Sequence, residues 1–541
     1  MNRIKNYFSS DINKYRFISF LIFTVLITLL AWQSDDAYHA YIMARNLVEG
    51  NGFVYNIGER ATASSCPLFT LVIAAGYFVI RNMFISSLLI CVLFSAGAYY
   101  IVVNHFCKSK NQIIMAFIIL VGSYSFMSYT TAGLENCMLF YLASLFLVVY
   151  FENNTFKSKE LLKIAILISL IAMARMDAVL IFAPMAVYVY LLKRERVSFI
   201  KAVGLGLTGL TPFILWEVFA TFYFGFPFPN TAYAKLGTNF PLSDYIYRGM
   251  QYYLNVIISD PITLVVPFMI IIAAVIIKKA DYIWTMAGVV LYGIYLLYIG
   301  GDFMMGRHFT VMFFVSTITY LVMRNRETVL KRTGICFDKV FTGAVIIALV
   351  FSYSMQVVTS QFQYGDKFTT PISDERKGYF KYTSLVDNAI SYITVGDMCI
   401  REAWNEQGIR ELREANYPGG VIDNAPGISV YYYPDMYIVD KYALADPFLT
   451  KLPAVMDDNW RIGHMYRDIP KGYLNTLLYN RNMIEDEDLA KYLDIIRLIT
   501  RGNLFDKERI DAVIHMNLGD YDYLLDSYKS TLDENNRQIA R

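Results

Sequence analysis

Runs of apolar residues long enough to cross a bilayer recur through the first two thirds of the chain, and a helical membrane protein is the fold they leave open. A span needs about 17–25 residues. Candidates lie at 15–33, 83–106, 112–130, 134–151, 161–174, 178–192, 199–223, 261–277, 282–299, 309–323 and 338–358, eleven segments of which 161–174 and 178–192 are short. Composition agrees: 56% of the 541 residues are hydrophobic and 17% are charged, against about 45–50% apolar and 25% charged in soluble domains. The net charge of +2 gives no basic face for nucleic acid. The six cysteines are scattered and form no C-x-x-C or Cys/His pattern, so neither a zinc site nor a disulfide framework is indicated.

Charge orients the segments. Arg3, Lys5, Lys14 and Arg16 precede or open the first run, and no small-residue cleavage site follows it, so it reads as a retained helix. Residues 67–80 (PLFTLVIAAGYFVI) form an apolar run of only 14 and read as a re-entrant or interfacial helix. One set of loops then collects Lys108, Lys110, Lys157, Lys159, Lys193, Arg194, Arg196, Lys278, Lys279, Arg324, Arg326, Lys331 and Arg332. The opposite short loops hold little beyond Arg175, Lys235, Arg248 and Arg307. The bias puts the N-terminus in the cytoplasm and the C-terminus outside; counting 67–80 as a span would lose it from residue 81 onward. The expected architecture is a membrane all-α domain over 1–358 with about 11 transmembrane helices, followed by an extracytoplasmic α/β domain over 359–541. Within that tail, helical periodicity at 381–415, 484–500 and 505–515 alternates with strand-like runs at Gly427 to Tyr433 and Met436 to Val439.

The polar residues concentrate on the outer side. Asp35 and Asp36 follow the first span, and Ala37, Tyr41, Ala44 and Val48 recur at helical spacing until Gly50 and Asn51-Gly52 end the run. This predicts an amphipathic helix lying on the membrane. Capping by Ser34 or Asp35 accounts for one carboxylate but not for two beside the bilayer, where ionisable groups are costly. A carboxylate there can act as a general base. Other corners carry Glu135, Arg175-Met176-Asp177, Asn230 and Lys235 within a loop at 224–260, Asp302, and Arg307-His308. Each has a plainer reading: Glu135 as a helix-start acid, Arg175 and Asp177 as a clamp, Arg307 as a snorkelling side chain. The chain has no Walker loop, G-x-G-x-x-G cradle or G-x-S-x-G elbow. An enzyme working outside needs an activated donor already in the membrane, and a sugar on a polyprenyl phosphate meets that need.

Asp35-Asp36-Ala37-Tyr38, Ala44-Arg45-Asn46-Leu47, Gly50 to Asn56 and Gly58-Glu59 together resemble the first outer loop of GT-C superfamily glycosyltransferases, most closely the mycobacterial terminal β-(1→2) arabinofuranosyltransferase family. Gly133-Leu134-Glu135, Arg175-Met176-Asp177, Pro229 to Lys235, Gly301-Asp302-Phe303 and Gly306-Arg307 are similar to its later motifs in order, and Val439 to Pro447 and Arg461 to Tyr473 extend the likeness to about residue 475. The resemblance implies an inverting transfer of a sugar, arabinofuranose in that family, from a polyprenyl-phosphate donor in the lipid bilayer to a cell-envelope glycan acceptor outside the bacterial cytoplasmic membrane. It implies Asp35 as general base, with Asp36 assisting or binding substrate or a divalent metal ion, and no other cofactor. Arg307, His308, Lys235 and Arg175 would hold the donor phosphate. Glu135, Asp177, Asn230, Asp302 and Trp460 would bind substrate, with Trp404 a second stacking residue. Two alternatives stay open: a GT-C transferase moving another sugar onto lipopolysaccharide, wall polymer or protein, and a lipid-linked-sugar flippase or transporter.

Overall fold

The structure is a computed structural model, and it describes residues 10–327, 337–361, 371–402, 419–422, 427–434, 436–456, 460–530 and 532. Helices occupy all eleven predicted segments. Among the described residues six of them are long and apolar enough to cross a membrane: Asp11–Leu29, Met83–Phe106, Met176–Lys193, Phe199–Phe224, Ala280–Tyr298 and Phe337–Met355. A seventh would be the pair Leu242–Ser259 and Ile262–Ile277, bent by 102°. Pro67–Ile80 is a separate short helix, started by Pro67 and ended by Arg81 in the left-handed region, φ 58°.

Helix Phe309–Arg326 forms the axis of the bundle. Every residue from Phe309 to Met323 is buried. Its hydroxyls are absorbed locally, Thr317 Oγ1 donating to Phe313 O at 2.9 Å and Thr319 Oγ1 to Val315 O at 2.8 Å, so a polar sequence can sit inside an apolar bundle. At the periphery, helix Phe199–Phe224 exposes Leu207, Leu215 and Val218, the composition of a lipid-facing flank. Helix Ala280–Tyr298 crosses Met176–Lys193 so closely at Gly288 that a Cβ there would stand 1.9 Å from Ile181 O. Gly288→Ala is therefore expected to cost about 1–3 kcal/mol in thermal unfolding in detergent; an unchanged transition would mean that the crossing can open.

Two segments differ from expectation for one reason. The predicted span at 112–130 breaks at Ser123 into Lys110–Gly122 and Tyr124–Tyr129, and the predicted loop at 224–260 contains helices Asn230–Leu236 and Leu242–Ser259. Buried Asp260 sits at both breaks. Its Oδ2 accepts from Ser123 Oγ at 3.1 Å, Ser125 N at 2.8 Å and Thr263 Oγ1 at 2.7 Å. One carboxylate thus satisfies the polar groups freed where two helices are interrupted.

The tail is more helical than predicted. Its strands, among the described residues, are Gly419–Ile422 and Tyr437–Asp440, paired in parallel with Gly419 opposite Tyr437. The run from Gly427 to Tyr433 is not a strand but carries the helical turn Ile428–Tyr431, since a short apolar run does not itself choose between helix and strand. Helices Glu487–Arg501 and Lys507–Leu518 pack around Phe448, Tyr492, Leu493, Ile496 and Val513 in a second core. The tail also roofs the first loop. Asn56 exchanges hydrogen bonds with the Ile438 backbone, Glu59 pairs with Arg501 at 3.0 Å, and Arg60 N donates to Thr500 O at 2.9 Å. Helix Ala37–Val48 forms as predicted but does not lie on a membrane surface: Ala37 to Asn46 are all buried, because helix Pro67–Ile80 and the 427–440 segment enclose it.

Candidate functional site

The polar corners predicted from separate parts of the sequence meet at one cavity of about 810 Å³. Asp36 and His39 enter it from the start of helix Ala37–Val48, one turn apart on one face. Glu135 arrives from the N-terminus of helix Asn136–Glu152, Arg175 and Asp177 from the corner before Met176–Lys193, Lys235 from the end of Asn230–Leu236, and Arg307 from the turn into the axial helix. The far wall is mostly apolar, formed by Phe213, Trp216, Ala220 and Phe224 of helix Phe199–Phe224, with Glu217 of the same helix among them.

The charges at the cavity floor are locked together. Arg307 Nη2 donates to both Glu135 oxygens, at 2.9 and 3.1 Å, and Arg175 Nη1 donates to Glu135 Oε1 at 2.8 Å. Arg175 also grips Asp177 through Nε at 2.7 Å and Nη2 at 3.0 Å. Behind them His308 Nε2 lies 3.1 Å from Asp302 Oδ2, while its Nδ1 meets Tyr292 OH at 2.9 Å. Burial and the Arg175 charge hold His308 below its ordinary pKa. Nε2 also lies 3.2 Å from Arg175 Nη2, which can only donate. A neutral imidazole that accepts from Arg175 at Nε2 and donates from Nδ1 to Tyr292 OH fits the hydrogen bonds, and Asp302 Oδ2 is left without a hydrogen-bond partner among the described residues.

Three charged groups on the cavity stand outside this network: Asp36, Lys235 and Glu217, the last from helix Phe199–Phe224. The Asp36 carboxylate is half-buried and caps no helix N–H; among the described residues it takes part in no ion pair. The Lys235 ammonium is likewise unpaired among the described residues. Arg307 Nε has no hydrogen-bond partner either. A carboxylate able to accept a proton therefore shares the cavity with cationic groups able to hold an anion. His39 is the unexpected member. It is buried, its ring leans on Tyr55 at 5.6 Å, and neither ring nitrogen has a hydrogen-bond partner. Its one sequence signal was its place three residues after Asp36.

No family model matches the chain, and no curated protein or solved structure does. The functional reading rests on these residues and their geometry.

Several predicted roles change with the geometry. Asp35 does not line the cavity: its Oδ1 accepts from Ile428 N at 2.7 Å and its Oδ2 from Gly427 N at 3.2 Å, so it fastens the tail to the first loop. Burial pushes its carboxyl up to about 6, against the pull of the Ile428 N–H. Gly427 is required there, since a Cβ would lie 2.1 Å from Asp35 O. Glu375, from the helix Glu375–Thr383 beyond the last span, stands near both aspartates; burial and then the Asp36 and Asp35 charges push its carboxyl well above the usual range. Asp302 and His308 support the floor without lining the cavity, and Asn230 is buried with its backbone oxygen accepting from Thr450 Oγ1 at 3.0 Å. Trp460 is not free to stack on a sugar: it is buried against Phe240 and Tyr245, with the Arg248 guanidinium 5.0 Å from its ring centre. Trp404 lies outside the described residues. Among the described residues no three His, Cys, Asp or Glu side chains gather closely enough to hold a metal ion.

Proposed function

We propose that this chain is an integral-membrane glycosyltransferase of the GT-C type, transferring a sugar from a polyprenyl-phosphate donor to a cell-envelope glycan with inversion. The observation that carries the reading is the pairing of Asp36 with Lys235 and the Arg307 edge on one cavity, the Asp36 and Lys235 side chains both unpartnered among the described residues, next to a mostly apolar wall made by a helix long and apolar enough to span a membrane. In this reading the polyprenyl chain lies along Phe213, Trp216 and Phe224, which leaves the phosphate at the Lys235 and Arg307 end. Asp36 takes the proton from an acceptor hydroxyl as that oxygen attacks the anomeric carbon. The bond from that carbon to the phosphate oxygen breaks with its electron pair leaving on polyprenyl phosphate, whose charge Lys235 and Arg307 offset. The pairing supports Asp36, rather than Asp35, as the base. The basic loops support an orientation with about eleven spans, the cavity and the tail outside a bacterial cytoplasmic membrane.

The test is direct. The purified protein in proteoliposomes receives radiolabelled polyprenyl-phosphoryl arabinofuranose, then polyprenyl-phosphoryl hexoses, with a cell-wall oligosaccharide acceptor. Expected is acceptor-dependent release of polyprenyl phosphate from one donor. A folded protein that moves an intact lipid-linked sugar across the bilayer without cleaving it would overturn the reading in favour of a flippase.

A further inference from the structure

Helix Lys507–Leu518 is fixed to the end of the 26-residue helix Phe199–Phe224 by hydrogen bonds that cap that helix. Arg509 Nη2 donates to Phe222 O at 2.8 Å and Tyr223 O at 3.1 Å, and Asn517 Nδ2 donates to Gly225 O at 2.8 Å. These are carbonyls that the end of a helix leaves without partners. The attachment sets Lys507–Leu518 at the level where a membrane-spanning helix ends. Its inner face, Arg509, Ala512, Val513 and Met516, is buried.

The opposite side is not what water would select. Ile510, Ile514 and Leu518 recur every four residues along one stripe, with Ile514 51% and Leu518 71% exposed. Phe505, just before the helix, is 80% exposed and rests its ring on Phe222 at 5.5 Å. Across a cavity of about 430 Å³, whose lining also includes Glu217 and Arg509, Ile510 and Ile514 of the stripe face Val218 and Phe222 of the spanning helix, and Val218 is itself 63% exposed on the lipid-facing flank. The apolar stripe of a soluble-looking tail is therefore continuous with the lipid-facing side of a span. The neighbouring flank carries Glu508, Asp511 and His515, so polarity changes across the helix as it does across a membrane surface.

We propose that helix Lys507–Leu518 docks into the bilayer surface, with Phe505, Ile514 and Leu518 immersed at the headgroup–acyl boundary. The contact is mainly apolar: Lys507, seven residues before Ile514 on the same stripe, is offset by Glu508 and Asp511 on the flank, so anionic lipid gains no advantage. The tail is then held to the membrane at a second point besides helix Phe337–Gln361, which precedes it in the chain. This does not depend on the reaction proposed above.

Single cysteines at Ile514, Leu518, Glu508 or Asp511, all exposed, test it in the full chain in single-copy phosphatidylcholine nanodiscs. A membrane-impermeant maleimide is followed by mass spectrometry of the peptide carrying each site, so native cysteines do not interfere. Expected is labelling about tenfold slower at Ile514→Cys and Leu518→Cys than at Glu508→Cys and Asp511→Cys, the protection that immersing one such side chain supplies. Added phosphatidylglycerol should leave the contrast unchanged. Equal rates at all four sites would overturn the proposal, as would protection that arises only in nanodiscs holding two copies, which would make a second chain the occupant.

Discussion

Asp36→Asn is expected to reduce glycan transfer by about 10²–10⁴-fold in kcat, the range for removing a positioned general base, with thermal stability and donor affinity close to those of the parent. The asymmetry between stability and rate is the informative part. The Asp36 carboxylate caps no helix and has no ion-pair partner among the described residues, so replacing it by a near-isosteric amide breaks no folded-state contact. Asp35→Asn should behave in the opposite way. Its carboxylate accepts from both Gly427 N and Ile428 N, and an amide can accept at its oxygen but presents a donor to the other N–H. The cost of one unsatisfied buried donor is about 1–3 kcal/mol, read as a lower unfolding temperature and a looser 427–431 segment in hydrogen exchange, with kcat affected only through the cover of the site. An Asp36→Asn variant of full activity would remove Asp36 as base. An Asp35→Asn variant that is inactive yet as stable as the parent would return that role to Asp35.

The contrast between these aspartates marks how far the sequence could be read. Adjacent residues leave a chain in different directions, and which of two carboxylates faces a cavity depends on what packs on the other. The partner of Asp35 lies 392 residues away at Gly427, and no local periodicity carries that information. The helix Ala37–Val48 was legible from spacing, and so was Pro67–Ile80 from its length and its leading proline. The environment of Ala37–Val48 was not: the burial of Ala37 to Asn46 comes from helix Pro67–Ile80 and from the tail residues around Ile428–Tyr431 packed on it. The corners Glu135, Arg175, Asp177, Lys235 and Arg307 were legible because charges at the ends of apolar runs are expensive unless they gather. The breaks at Ser123 and Asp260 were not, because each is tolerated only through the other. Trp460 shows the reverse error. A large aromatic in a polar stretch resembles a sugar platform, yet it serves as core beneath Arg248.

The floor of the cavity gives the second large effect, in which folding and binding separate. Arg307→Met leaves Glu135 buried with Arg175 alone, after losing the two-oxygen contact at 2.9 and 3.1 Å. Breaking one side of a buried pair typically costs about 3–5 kcal/mol, because the remaining charge keeps its desolvation penalty. Arg307→Lys should rescue in part, since one nitrogen, Nη2, makes both contacts with Glu135 and an ammonium can supply such a contact, while the Nη1 approach to Asp302 is lost. Adding Glu135→Gln to Arg307→Met removes the stranded charge, leaving a neutral group that still accepts from Arg175 and a thioether in the volume of the guanidinium stem. The double variant should therefore recover most of the lost unfolding temperature. Affinity for polyprenyl phosphate, measured by titration in nanodiscs, should not recover. It is expected to stay at least about tenfold weaker, the effect of losing one charge-assisted hydrogen bond to the phosphate. If the double variant binds polyprenyl phosphate as the parent does, Arg307 serves the fold alone and the anion sits elsewhere on the cavity. If stability stays low in the double variant while binding is lost, the Arg307 contact with Asp302, 3.8 Å away, carries the fold instead.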